Sequence, residues 1–263
     1  MSFGVAIVLL GGLQGLTVAV PGAGWPGWLW RPAGRGWALV APGSIIAVIA
    51  AIGALPGVAD ALTWLALIAV PPLAAAALGW AMRPARPEFA LAAVVLFALA
   101  WAFEGKLGGD AAALALTALS CVTLGRLVAS LAPAILIKAG LIVAAIVDTT
   151  LIVAHQLQGP NSVLNAAAPA AHLPKLQLVA FGPAQMGYGD LFVAGLLGGV
   201  LAVECRRQAP AALATFAFAG LMDLLFLVTD ELPATVPVAA ALILVESLRR
   251  LTRRAEPEHL DPV

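Results

Sequence analysis

The sequence predicts an all-α membrane protein with nine transmembrane helices. Of its 263 residues, 62% are hydrophobic and only 11% are charged, and the mean hydropathy is +1.00. An average soluble domain carries about 25% charged residues, so the bilayer is the solvent to consider for this chain. Long apolar stretches recur along the sequence between Pro, Gly and charged residues. The zero net charge provides no basic footprint, which excludes nucleic acid as a partner.

The predicted helices follow from the length of the apolar stretches. A helix needs about 20 mostly apolar residues to cross the hydrocarbon of a bilayer. We number the candidates as spans one to nine, near residues 3–20, 38–55, 60–81, 89–104, 110–131, 133–155, 188–205, 210–229 and 233–250. No basic segment precedes span one, which favours a retained helix over a cleaved signal peptide. Pro71 and Pro72 fall inside span three and predict a kink there.

The spans form one polytopic membrane domain over residues 1–250, and a polar cytoplasmic tail follows at 251–263. Spans one to five occupy about 1–131, and spans six to nine, which carry the candidate site, occupy about 133–250. Neither a repeat with a period of 20–50 residues nor a soluble domain is visible in the sequence. Any selectivity for partners must therefore come from the membrane-embedded surfaces.

The basic residues predict the orientation, because Lys and Arg are enriched in cytoplasmic loops. With nine spans, ten arginines fall on one side of the membrane, and only Lys106 and Lys175 fall on the other. We therefore expect an outer amino terminus and a cytoplasmic carboxyl terminus in the plasma membrane. Arg126 and Lys138 lie inside spans near the basic side, where their side chains can snorkel. The ten arginines are Arg31, Arg35, Arg83, Arg86, Arg206, Arg207, Arg249, Arg250, Arg253 and Arg254.

Other conspicuous residue types indicate structural roles. The four tryptophans of "GWPGWLWRPAGRGW" are typical of an aromatic belt at the cytoplasmic interface. Cys121 and Cys205 have no zinc or redox spacing, and the three histidines have no ligand spacing. We therefore predict neither a metal site nor a cofactor.

Three aspartates lie within the predicted spans, where an ionised carboxylate costs about 2.5–3.5 kcal/mol on insertion scales. They are Asp148 in span six, Asp190 at the start of span seven and Asp223 in span eight. Span six runs outward and ends near His155, which places Asp148 about 10 Å below the outer surface. Span seven runs inward from Asp190. The first two aspartates are thus expected to meet at similar depth on adjacent antiparallel helices.

A pair of carboxyl groups in a low dielectric can hydrolyse a peptide bond. Both cannot ionise easily, so one keeps its proton and the pair combines an acid with a base. Such a pair can activate a water molecule and protonate a leaving amine without a covalent intermediate. Gly187 and Gly189 lack a Cβ, which lets backbone or substrate approach Asp190. The strand-like segment "KLQLVAF", residues 175–181, could pair with an unwound substrate by strand addition.

Four stretches, "IVDTT", "LPKLQLVAF", "GYGD" and "LPATVP", resemble the motifs of the presenilin and signal peptide peptidase family of nine-helix intramembrane aspartyl proteases. The resemblance implies a presenilin/signal peptide peptidase-like fold with Asp148 and Asp190 as the catalytic pair. Val147 and Thr235 stand where that family usually has Tyr and Leu. The substrate-binding residues that the resemblance implies are Gly187, Tyr188, Gly189, Pro233, Ala234 and Lys175.

The predicted orientation is similar to that of signal peptide peptidases and opposite to that of presenilins. The expected partners are the lipid bilayer and substrates that are transmembrane or signal-peptide segments. By the same resemblance, these substrates have type II orientation, with a cytoplasmic amino terminus.

Two other functions stay open. The stretch "MGYGDLFVAGLLGG" also resembles a motif of prepilin peptidases, although Phe192 stands where that family usually has Lys and its site faces the cytoplasm. A proton-coupled transporter or channel could use the three aspartates as a relay, although no inverted repeat is visible. No motif surrounds Asp223, so we expect it to make a structural hydrogen bond to a hydroxyl such as that of Thr229 or Thr149.

Overall fold

The computed structural model describes residues 2–22, 57–154, 158–167, 173–227 and 232–255, together with the single positions 36, 43, 46, 47, 50, 51, 156 and 229. Over these residues the protein is mostly helical and contains one small β-hairpin. In chain order the elements are α1 (Phe3–Ala19), α2 (Val58–Ala76), α3 (Ala92–Ala102), α4 (Leu107–Leu131), α5 (Ala134–Val153), α6 (Gln158–Ala166), β1 (Leu178–Phe181), β2 (Ala184–Gly187), α7 (Tyr188–Val203), α8 (Ala209–Asp223) and α9 (Val236–Ala255).

Four helical stretches are long and apolar enough to cross a membrane. They are Val58–Ala81, Leu107–Leu131, Ala134–Val153 and Ala209–Phe226. Three shorter helical stretches, Phe3–Ala19, Pro87–Ala102 and Tyr188–Val203, are also apolar. The predicted helical class is therefore confirmed, and several helices are apolar and long enough to suggest a membrane protein. The described helices other than α6 overlap spans one and three to nine.

The last helix differs from the prediction at both of its ends. It begins at Val236, after Pro233, and carries Pro237 in its first turn, where the missing N–H of proline costs no helical hydrogen bond. It continues to Ala255, so residues 251–255 of the predicted polar tail are helical. Leu and Arg are good helix formers, and arginines near a helix carboxyl end interact favourably with its dipole, which explains the extension.

The proline pair of span three lies within a continuous helix. Pro71 and Pro72 are both inside α2. The hydrogen-bonding pattern changes to a π-helical turn only at Ala77–Ala81, which directly follows α2. The described irregularity therefore lies beyond the prolines, at the end of the helical stretch.

Close packing of α4 against α7 forms the centre of the molecule. A Cβ added to Gly125, Gly195 or Gly199 would overlap the backbone of the facing helix, and one added to Gly198 would overlap the backbone of α1 at Val18. Small residues at such spacing let helices approach closely in membranes. The glycines that follow Asp190 in the sequence thus position α7 against its two neighbours.

Four charged side chains form a cluster at one end of α5, α7 and α9. Lys138 Nζ lies 2.6 Å from Glu204 Oε1 and 2.8 Å from Glu246 Oε1. Arg206 pairs with the same two glutamates, at 3.2 Å from Glu204 Oε2. We call these four residues the ion cluster. It links three helices at the end opposite to Asp148 and Asp190.

The two basic residues predicted to snorkel are instead bonded within the protein. Lys138 is 9% exposed and belongs to the ion cluster. Arg126 is 4% exposed, and its Nε donates to the carbonyl oxygen of Gly22 at 2.9 Å. Both side chains are thus buried and held by tertiary contacts.

Some predicted features lie outside the described residues. They are most of span two at 38–55, the four belt tryptophans, Arg31, Arg35, His155, His172 and the tail from 256. The hairpin, by contrast, is described: β1 and β2 are antiparallel, with Leu178 opposite Gly187 and Phe181 opposite Ala184. Half of the predicted strand-like segment therefore forms the first strand of the hairpin.

Candidate functional site

Asp148 lies near the carboxyl end of α5 and is 9% exposed. Its Oδ2 accepts a hydrogen bond of 2.7 Å from the hydroxyl of Thr235, just before α9 begins. Thr235 itself is 1% exposed. The segment containing Pro233 and Ala234 is thereby held beside Asp148, although the bonded residues are 87 positions apart in sequence.

Asp190 lies in the first turn of α7, directly after β2. Its Oδ2 accepts a hydrogen bond of 3.1 Å from the backbone N–H of Gly187. Positive partial charge at a helix amino terminus favours a carboxylate in this position. A Cβ on residue 187 would lie 3.0 Å from that same oxygen, so glycine is the residue that leaves room for the contact.

Asp148 and Asp190 line one cavity of about 410 Å³. The two carboxyl groups are close enough to interact electrostatically. The wall is formed by residues from α1, α5, α6, α7, α8, the hairpin, the segment before α9 and the first turn of α9. None of the described lining residues is Lys, Arg or His. Two acids thus share a space without a cation from the described wall to neutralise them.

Gln14 of α1 contacts the backbone both at Asp190 and in the segment that lies beside Asp148. Its Nε2 donates to the carbonyl oxygen of Ala234 at 2.6 Å, and the carbonyl oxygen of Asp190 lies 3.5 Å away. The side chain is 1% exposed and lines the cavity. Sequence reasoning missed this residue, although an amide inside an apolar span is itself a signal, because its polar atoms need partners in hydrocarbon.

Thr235 was also underestimated from the sequence, where it counted only as a departure from Leu. The structure gives its hydroxyl a direct bond to one of the two acids. The signal was present, since a hydroxyl next to a Pro-Ala segment can donate to a carboxylate where leucine cannot. What the sequence could not supply was the approach of this segment to α5.

The structure places the six substrate-binding candidates in two groups. Gly187, Pro233 and Ala234 line the cavity with the two aspartates. The other three do not line it. The Tyr188 hydroxyl lies 2.8 Å from Ser120 Oγ, and exposed Lys175 donates to the Asn165 carbonyl oxygen at 3.0 Å. Gly189 borders open space, since no atom lies within 4 Å of a Cβ built on it.

Asp223 lines the same cavity, a position that only the transporter alternative anticipated. The expected bonds to Thr229 and Thr149 are not made among the described residues: their hydroxyls donate to the backbone carbonyl oxygens four residues earlier, Leu225 O at 3.2 Å and Ala145 O at 2.7 Å. In a helix, a Thr hydroxyl finds the carbonyl one turn back without any tertiary arrangement. The Oδ2 atom of Asp223 is buried and has no partner among the described residues.

The described residues contain no group of three His, Cys, Asp or Glu side chains that could hold a metal ion. Both cysteines are free thiols, Cys121 buried and Cys205 exposed. Cys121 Sγ lies 3.8 Å from the Tyr188 carbonyl oxygen, within the contact between α4 and α7. Neither thiol lines the cavity.

Similarity to known proteins gives no further information about this cavity. Neither a protein-family model, nor a curated protein, nor a solved structure matches the chain.

Proposed function

We propose that this protein is an intramembrane aspartic endopeptidase that hydrolyses peptide bonds in transmembrane segments through Asp148 and Asp190. One observation carries the proposal: the two carboxyl groups face one cavity whose described wall offers no cation. The glutamates of the ion cluster, by contrast, are paired with cations, as acids that only hold helices together are. Unneutralised, adjacent carboxyl groups are the arrangement that general acid–base chemistry needs.

The proposed reaction needs one water molecule between the two carboxyl groups. The ionised carboxyl takes a proton from the water, whose oxygen attacks the peptide carbonyl carbon, while the protonated carboxyl gives its proton to the carbonyl oxygen. The tetrahedral intermediate then collapses as the newly protonated carboxyl donates to the amide nitrogen and the other carboxyl, now ionised, takes a proton back from a hydroxyl of the intermediate. The C–N bond breaks, and the amine and carboxylic acid products leave with no covalent link to the protein.

Neutral donors orient the two acids for this reaction. The Thr235 hydroxyl holds Oδ2 of Asp148, and the Gly187 N–H holds Oδ2 of Asp190. One oxygen of each carboxyl group is thereby fixed, and the other remains for water or substrate. Because the fixed donors carry no full charge, the shared proton stays available to the pair.

The hairpin offers a way to present the substrate backbone. A peptide bond in a helix is shielded by its own hydrogen bonds, so the substrate must be unwound before attack. Both strands of the hairpin contribute to the cavity wall, through Leu178 of β1 and Ala184 to Gly187 of β2. An extended substrate could add to this hairpin through main-chain hydrogen bonds, which position a peptide without demanding a particular side chain.

The proposed arrangement in the membrane is that of a signal peptide peptidase. It comprises nine crossings of the plasma membrane, with the amino terminus outside and the carboxyl terminus in the cytoplasm. The arginine distribution supports this orientation. The ion cluster then lies at the cytoplasmic end of α5, α7 and α9, and the aspartate pair lies toward the outer end. Substrates of type II orientation are expected.

Cleavage of a reconstituted transmembrane peptide tests the proposal. Wild-type protein, Asp148→Asn and Asp190→Asn would be compared in the same vesicles, with Asp110→Asn as a matched control at a carboxylate in the first turn of α4, outside the cavity lining. We expect product from the wild type and the control only, because each amide variant loses an acid or base of the pair. Undiminished cleavage by Asp190→Asn would overturn the assignment.

A proton-coupled transporter is the second candidate, favoured by the presence of Asp223 in the same cavity. Three carboxyl groups along one cavity can also pass protons or bind cations. Proton-coupled uptake in liposomes that survives Asp190→Asn but not Asp223→Asn would support it. The prepilin peptidase alternative leaves the "LPATVP" segment without a role, whereas here its Thr235 contacts Asp148.

A further inference from the structure

Three buried oxygen atoms in the cavity wall have no hydrogen-bond partner among the described residues. They are Oε1 of Gln14, Oε1 of Gln177 and Oδ2 of Asp223. Buried polar atoms are normally satisfied, so an unsatisfied atom in a cavity wall points to an occupant. All three atoms are acceptors, so the occupant must bring hydrogen-bond donors.

The orientation of both amides is fixed by their other ends. Nε2 of Gln14 donates to the Ala234 carbonyl oxygen at 2.6 Å, and Nε2 of Gln177 donates to the Ala167 carbonyl oxygen at 3.1 Å. Turning either amide over would set two oxygens against each other. The glutamines are 1% and 6% exposed, so no bulk water replaces the missing donor.

The charge of the cavity points to the same kind of occupant. Asp148, Asp190 and Asp223 all line it, and the described lining residues include no Lys, Arg or His. A low-dielectric cavity with acids and no cations favours a positively charged ligand group. Asp223 is the acid best suited to receive it, because the other two are engaged by Thr235 and Gly187.

Helix packing gives the distance between Asp223 and the reacting acids. α1 and α8 are antiparallel neighbours: a Cβ on Gly15 would meet Ala212 and Phe216, and one on Gly11 would meet Ala219. If the same register continues, Asp223 lies near Ile7 of α1. Gln14, seven residues further along α1, lies beside Asp190 and Ala234. Seven helical residues span about 10 Å, which equals about three residues of an extended chain.

Resting on the proposed protease function, we propose that Asp223 is a specificity subsite for a Lys or Arg side chain of the substrate. That residue lies about three positions from the scissile bond, on the side facing the amino end of α1. Gln14 and Gln177 accept hydrogen bonds from backbone N–H groups of the unwound segment. The cavity thus selects a substrate with a basic residue near the point of cleavage.

Cleavage of paired peptides tests the subsite. The peptides share one transmembrane sequence and differ only by Lys or Met, placed in turn at two to four positions on either side of the scissile bond. For wild-type protein, kcat/KM should be about tenfold higher with Lys than with Met at one such position, a difference of about 1.4 kcal/mol in transition-state binding. The Lys/Met ratio should fall to about one in Asp223→Asn and stay at the wild-type value in Asp110→Asn.

Charge reversal and binding make the test decisive. Asp223→Lys should prefer a peptide with Glu at the same position, which a merely structural Asp223 would not produce. In Asp190→Asn, which is expected to bind without cleaving, the Lys peptide should bind about tenfold more tightly than the Met peptide, and adding Asp223→Asn should remove the difference. Equal ratios in wild type and Asp223→Asn would overturn the subsite. A binding preference for Lys without any wild-type cleavage would support the subsite and overturn the protease.

Discussion

The two ends of α5, α7 and α9 carry the same kind of side chain in opposite situations. At one end, Glu204 and Glu246 are paired with Lys138 and Arg206. At the other end, the two aspartates of the cavity are held by neutral donors of Thr235 and Gly187. Each end thus contains two acids on or beside these three helices, but only one end contains their counter-ions.

The difference between the ends separates acids that stabilise from acids that react. A carboxylate surrounded by cations is held in its ionised form and links helices, which suits the ion cluster to fixing α5, α7 and α9 relative to one another. A carboxyl group held by neutral donors can still exchange a proton. In the structure, the partners of these four acids distinguish the two roles.

The largest effect on cleavage is expected from substitutions of Asp148 and Asp190, the two acids held by neutral donors. Asp148→Asn or Asp190→Asn should lower peptide cleavage by at least about 1,000-fold, because an amide cannot exchange the proton. The free energy of unfolding should change by less than about 1 kcal/mol, because no cation loses its partner. Cleavage assays and thermal unfolding in the same detergent measure both quantities. If both variants unfold, Asp148 and Asp190 stabilise the fold in the way that the glutamates of the ion cluster do.

The converse effect is expected at the ion cluster. Lys138→Met leaves Glu204 and Glu246 with Arg206 alone and should lower the free energy of unfolding by about 2 kcal/mol, or Tm by about 4–8 °C. Lys138→Arg keeps the charge and should retain most of the stability. Thermal unfolding of both variants checks this. A Met variant as stable as the wild type would show that the cluster does not fix the helices.

A smaller effect is expected from the hydroxyl that holds Asp148. Thr235→Val keeps the shape of the side chain but removes the donor, so cleavage should fall about tenfold through misorientation of Asp148. Thr235→Ser should recover most of the rate, because its hydroxyl reaches the same oxygen. Steady-state kinetics with one peptide distinguish the variants. If Thr235→Val cleaves the peptide as fast as the wild type, the Thr235 hydroxyl has no role in the reaction.

The smallest effect is expected at Tyr188, whose hydroxyl lies 2.8 Å from Ser120 Oγ in the contact between α4 and α7. Tyr188→Phe should cost about 1 kcal/mol of folding free energy, the usual value of one neutral hydrogen bond. Cleavage should be unchanged, because the side chain does not line the cavity. A large loss of cleavage with unchanged Tm would restore the substrate-binding role that its place in the motif suggested.

The sequence by itself determined the helical class and the approximate positions of the described helices other than α6, which it did not predict. Apolar stretches of a length suited to the bilayer can satisfy their backbone only as helices, so composition and spacing were sufficient. It also singled out Asp148 and Asp190, because a carboxylate inside such a stretch needs a reason. The hairpin strand at 178–181 was visible for a similar local reason, its run of Leu, Val and Phe.

Only the tertiary structure decided what each polar residue faces. Gln14, Thr235 and Asp223 lie far apart in sequence, yet all three line the cavity or bond an acid that lines it. Tyr188 and Lys175, which stand within or near the predicted motifs, point elsewhere. Sequence gives the depth of a side chain along a helix. The direction it faces depends on how neighbouring helices rotate and pack, which here rests on contacts such as that of Gly125 with Gly195.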